Sequence, residues 1–135
     1  MTSKNTGYFS VFWTLLVLLL CAFPGEQIPD FNWMKLLALD KWIHAFLFLI
    51  FSFTYASFFL LQARFISLKN HAKLLSLLIS ITYGCLLEYL QFKVFSQRNG
   101  DWGDVLANSF GSAMGVVFYK KLAGLLKKIK TLNSY

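Results

Sequence analysis

Four apolar runs, separated by short polar loops, constrain this chain more than any motif does. Backbone inside hydrocarbon has no water to bond, so each crossing segment must satisfy its own N–H and C=O groups as a helix. The runs predict spans at about 8–23, 40–61, 74–95 and 104–119. Composition agrees. Of 135 residues, 57% are hydrophobic and only 14% charged, whereas a soluble domain carries about a quarter charged residues. The expected fold is all-α: a four-helix transmembrane bundle, antiparallel and up-down, forming one membrane domain over 1–135.

The first run extends from Tyr8 to Phe23 and stops at Pro24-Gly25. Its basic start and short apolar core suit a signal peptide, but Cys-Ala-Phe-Pro-Gly lacks the small-x-small cleavage pattern. Leu20 before Cys21 does not suit a lipoprotein site either. A retained helix is the favoured reading, because three more spans follow. Cys21 and Cys85 both lie in apolar runs. They are expected as small buried hydrophobes, with no disulfide and no metal-ligand spacing.

Charge placement sets the predicted orientation. The amino terminus, the loop at 62–73 and the tail are basic, while the loops at 24–39 and 96–103 are mixed or acidic. Lysine and arginine stay on the cytoplasmic side, which places both termini in the cytoplasm. The tail KKLAGLLKKIKTLNSY carries five lysines. Leu122, Leu125, Leu126 and Ile129 recur there at helical spacing, so it reads as a basic amphipathic extension lying on an anionic leaflet. No recognition motif accompanies this charge, and nucleic-acid binding is not expected.

In this topology the polar residues of three spans converge. Glu88 lies about 21 Å up a core about 30 Å thick. Gln91 is one turn nearer the outside, and Ser80 and Gly84 lie on the same face below. Asp40 and His44 share a face at the outer end of the second span. Asp104 and Asn108 do so in the fourth, where Gly111 and Gly115 continue the stripe as a GxxxG. A carboxylate within hydrocarbon costs roughly 3 kcal/mol on insertion scales, so Glu88 is expected to have partners such as His44 or Arg98. Each residue also has a plainer role. Asp40 and Asp104 can be helix caps, His44 an interhelical hydrogen-bonder, Gly111 and Gly115 a packing face, and Lys41 and Lys93 snorkelling cations. Arg98, above the acids, is the best candidate to meet an external phosphate.

Asp40-Lys41-x-x-His44, Glu88-x-x-Gln91, Arg98 and Asp101-x-x-Asp104-x-x-x-Asn108-x-x-Gly111-x-x-x-Gly115 together resemble the VanZ-like family. These are small bacterial membrane proteins named for a teicoplanin-resistance protein. The resemblance covers about residues 40–118 and implies a multi-pass protein of the bacterial cytoplasmic membrane. It links the named member to glycopeptide susceptibility and implies no established reaction.

Three functions follow as expectations. The first is binding of a lipid headgroup or lipid-linked envelope precursor at the outer leaflet. Arg98 would then engage phosphate, with Asp40, Lys41, His44, Glu88, Gln91, Asp101, Asp104 and Asn108 around it. The second is an intramembrane hydrolase or transferase in which Glu88 or His44 is the base and the other orients it. Asp40, His44, Glu88 and Asp104 could then hold a divalent cation, although no tight ligand spacing supports one and no cofactor is expected. The third is an accessory subunit whose polar cluster only locks the bundle. A channel is disfavoured because the inner half offers no polar path.

Overall fold

The computed structural model describes residues 3–22, 39–94 and 101–132, with side chains placed up to residue 121. The loops around Pro24 and Asn99, Arg98 among them, lie outside the described residues, as do the side chains of the lysine-rich tail. Everything described is helical or short connection, with no strand among these residues. The helices are α1 (Ser3–Ala22), α2 (Leu39–Leu61), α3 (Ile66–Asn70), α4 (Ala72–Lys93) and α5 (Trp102–Leu132). The basic loop expected at 62–73 thus contains one short helix. The tail continues α5 as helix without a break to Leu132.

Three helices, α1, α2 and α4, are long and apolar enough to cross a membrane. The fourth expected span falls inside α5, which does not meet that mark because Asn108, Gly111, Ser112 and Gly115 dilute its apolar content. The all-helical architecture therefore stands, with three apolar spans and a fourth long helix of mixed character packed among them.

Residue distribution matches a lipid environment rather than water. Leu15, Leu19, Phe46, Leu78, Leu86, Leu106 and Phe110 are exposed, while Ser52, Ser76, Ser80, Ser112 and Asn108 are buried. A water-soluble bundle would sort these the other way, because it gains stability by hiding apolar area. Among lipid tails that drive is absent, and association rests on close packing and interhelical hydrogen bonds instead.

The central element is α2. It touches every other helix and packs most extensively along α5. The reason lies in two small residues of α5. A Cβ at Gly111 would collide with the Ala45 carbonyl, and one at Gly115 with the Leu49 carbonyl and the Ser52 hydroxyl. Only glycine lets the two backbones come this close, which is the physical use of a GxxxG stripe. On the other flank, Phe48, Phe51, Leu87 and Val17 are fully buried. Phe51 stacks on Tyr83 with ring centroids 5.0 Å apart. Polar tips then tie α1 in place: Trp13 Nε1 donates to the Leu47 carbonyl at 3.0 Å, and the Tyr83 hydroxyl donates to the Thr14 carbonyl at 2.8 Å.

The cysteines divide. Cys21 is buried as expected, but Cys85 is exposed, and the two form no disulfide. Cys85 belongs to the outward face of α4, beside Leu86 and Tyr89.

Candidate functional site

The start of α2, the end of α4 and the start of α5 meet at one end of the bundle, and Asp101 is the junction. Its backbone N–H donates to Glu88 Oε2 at 3.1 Å. Its Oδ1 accepts the Gly103 N–H at 2.8 Å, so Asp101, not Asp104, caps α5. Its Oδ2 takes the Lys41 ammonium at 2.5 Å. One residue outside the spans thereby links all three helices. The Lys41 ammonium, helped by the Gly103 N–H, holds the Asp101 carboxyl below the usual carboxylate range.

That shift has a pH consequence. A carboxyl whose pKa is lower in the folded state adds stability above its unfolded pKa and loses it as pH falls through the folded value. The difference in melting temperature between wild type and Asp101→Asn should therefore shrink below about pH 4. Because Asp101 is exposed, salt should shrink it as well. A difference constant from pH 7 to pH 3 would contradict the link.

Asp104 is buried and shares the same lysine, with Oδ1 3.2 Å from Lys41 Nζ. Its Oδ2 lies 3.9 Å from His44 Nε2, and Asp40 Oδ1 lies 3.8 Å from the same nitrogen. His44 Nδ1 is 3.1 Å from Asn108 Oδ1. An amide oxygen only accepts, so Nδ1 carries the proton and donates. Asn108 is thus the residue that orients His44. Glu88 does not fill that role, since no hydrogen bond joins it to His44 among the described residues. Of the expected Glu88–His44 pair, His44 is therefore hydrogen-bonded to Asn108 instead. Geometry explains this: Asn108 lies directly across the close α2–α5 contact, whereas Glu88 approaches from α4.

Glu88 is 7% exposed, and its Oε1 has no hydrogen-bond partner among the described residues. Its side chain lines a cavity of about 430 Å³ between α4 and α5, walled by Cys85, Tyr89, Phe92, Asp101, Trp102 and Val105. Apart from the two carboxylates, the walls are apolar or aromatic. Asn108 Nδ2 is likewise buried and unpartnered, facing the space where Gly84 has no side chain.

Gln91 stands apart from this group. It is buried, and its amide donates to the Cys21 carbonyl of α1 at 3.1 Å. It shares a helix face with Glu88 but serves the α1 contact. The structure thus brings together Asp40, Lys41, His44, Glu88, Asp101, Asp104 and Asn108, sets Gln91 to one side, and puts Gly111 and Gly115 beneath them.

Below Asn108 the bundle interior is more polar than the sequence reading allowed. Ser112 donates to the Asn108 carbonyl at 2.7 Å and lies 2.6 Å from the Ser80 hydroxyl. Ser52 donates to the Ser112 carbonyl at 2.8 Å. The available signal was spacing: Ser52 and Ser112 lie eight and four residues after His44 and Asn108, on the same helix faces. These hydroxyls bond each other and the backbone, so they read as interhelical ties.

Buried acid, imidazole and amide groups gathered at one end of an apolar helix bundle define a class: a helical membrane protein with an internal polar site. The chain matches the VanZ/LLP1 family model over residues 7–127, and it belongs to that family. No curated protein and no solved structure shows a significant match.

Proposed function

We propose that this polar end is a headgroup site for a membrane lipid or a lipid-linked envelope precursor, entered from the outer leaflet. The bundle would cross the cytoplasmic membrane four times, α5 supplying the fourth crossing, with both termini in the cytoplasm. The carrying observation is the buried Glu88 Oε1, without a hydrogen-bond partner among the described residues, on a side chain that lines a cavity walled otherwise by Asp101 and apolar or aromatic groups. A buried carboxylate oxygen left without a donor costs about 1–3 kcal/mol or more, so a ligand that brings a donor gains that much. Tyr89, Phe92, Trp102 and Val105 offer the apolar walls that an amphiphile's chain requires.

Charge decides which part of the ligand Glu88 meets. Among the described residues, Lys41 is already paired with both Asp101 and Asp104, and no cation pairs with Glu88. A hydroxyl or ammonium therefore suits Glu88, and a bare phosphate does not. Phosphate belongs at the mouth. There Lys93 lies over the Phe92 ring at 4.8 Å, and Arg98 follows five residues on in the chain. The family's link to teicoplanin susceptibility fits a ligand from envelope synthesis.

Lipid binding to purified protein in nanodiscs tests this reading. Glu88→Gln should weaken binding about tenfold, the value of one charge-assisted hydrogen bond, while keeping helix content. Arg98→Ala should weaken binding of phosphate-bearing lipids in particular. Equal binding by wild type and both variants would overturn the proposal.

A further inference from the structure

We propose that Asp40, His44 and Asp104 form a binding site for one divalent transition-metal cation. The site goes beyond the headgroup reading and does not depend on it. Three ligand atoms, one from each residue, lie within 4.8 Å of one another. They are an imidazole nitrogen and a carboxylate oxygen from successive turns of α2, and a carboxylate oxygen from the first turn of α5.

His44 supplies the strongest sign. Its side chain is 95% buried, being 5% exposed. Its Nδ1 is engaged by the Asn108 oxygen, and its Nε2 is directed between the Asp40 and Asp104 carboxylates. The separations of 3.8 and 3.9 Å exceed hydrogen-bond length. A cation placed between these three atoms would be ligated by all of them at once. Metal-binding histidines commonly have the other ring nitrogen fixed in this way, by a hydrogen bond to an oxygen acceptor.

The surroundings fit. Lys41 holds Asp104 by Oδ1 and leaves Oδ2 toward the imidazole. Among the described residues at this end, Asp40, Glu88, Asp101 and Asp104 outnumber Lys41, which makes the local field attractive to a dication. Metal–ligand bonds of about 2.0–2.2 Å place tetrahedral ligand atoms about 3.4 Å apart, so small side-chain rotations close the set. One nitrogen and two oxygens suit Zn²⁺ or Mn²⁺ better than Ca²⁺, which prefers six to eight oxygens. Asp40 is 62% exposed, so a fourth position faces outward, where water or a ligand oxygen can complete the shell. A bound dication would also let an acidic site accept phosphate.

Full-length protein, purified in detergent and stripped with chelator, would be titrated with Zn²⁺ by calorimetry and with Mn²⁺ by electron paramagnetic resonance. One equivalent should bind, and pulsed spectra should show nitrogen coupling from a single imidazole. Asp40→Asn and His44→Gln should each weaken binding at least tenfold, and Asn108→Ala about 10–100-fold through the lost orientation of His44. Asp40 is exposed, so Asp40→Asn keeps the fold, and circular dichroism checks it. Absence of saturable binding would overturn the site. Stoichiometric binding unchanged in Asp40→Asn and His44→Gln would overturn it as well. No lipid enters the measurement, so its outcome is separate from that of the headgroup proposal.

Discussion

Gly111→Val is expected to abolish the folded bundle. The new side chain would start inside the contact with the Ala45 carbonyl, where the obstructing atoms are backbone. A side chain can rotate away from an intruder, but a helix backbone moves only as a whole. Overpacking of flexible neighbours costs about 1–3 kcal/mol, and this case belongs at or above the upper end. The α2–α5 contact is also the most extensive among the described helices, so its loss separates His44 from Asn108 and Lys41 from Asp104. Gly7→Ala is the control. Its Cβ would meet only the edge of the Phe58 ring, at 3.0 Å, and the ring can turn, for a cost below about 1 kcal/mol. Thermal unfolding in detergent, followed by circular dichroism, separates the two. A Gly111→Val protein melting within a few degrees of wild type would refute the packing account.

Asn108→Leu should be nearly as damaging, for a different reason. Asn108 is 1% exposed and accepts the His44 proton. Leucine has similar size but no acceptor, which leaves a buried imidazole N–H unpaired at about 1–3 kcal/mol. Its surroundings are also close-packed, since a Cβ added on Gly84 would come within 3.2 Å of Asn108 Cβ. The combined loss is on the order of 3 kcal/mol. Asn108→Asp keeps shape and acceptor and should fold far better than Asn108→Leu. If the two variants unfold alike, the His44 contact contributes nothing and bulk alone matters at this position.

Lys41 shows why helix stability and site integrity separate at this end. It is 41% exposed by side chain, so its ion pairs are partly screened and contribute modestly to folding. Its larger effect is positional: it pulls Asp101 and Asp104 together over the start of α5, next to Gly103, where an added Cβ would strike its ammonium.

Sequence alone determined the class and much of the site's membership. Long apolar runs admit only helices among lipids, and i, i+4 spacing placed Asp40 with His44 and Asp104 with Asn108 on common faces. Alternating span direction then carried those pairs and Glu88 to one end. Packing decided who touches whom. Helical periodicity fixes which residues share a face, but not how far each helix turns about its own axis. Here that turn is set by Gly111 and Gly115 seating on the backbone of α2. It gives His44 to Asn108 and makes Asp101 the junction of three helices, while the setting of α4 against α1 turns Gln91 to the Cys21 carbonyl. The fit of α4 against α5 also leaves one buried oxygen of Glu88 without a hydrogen-bond partner among the described residues, a result that no spacing along the chain encodes.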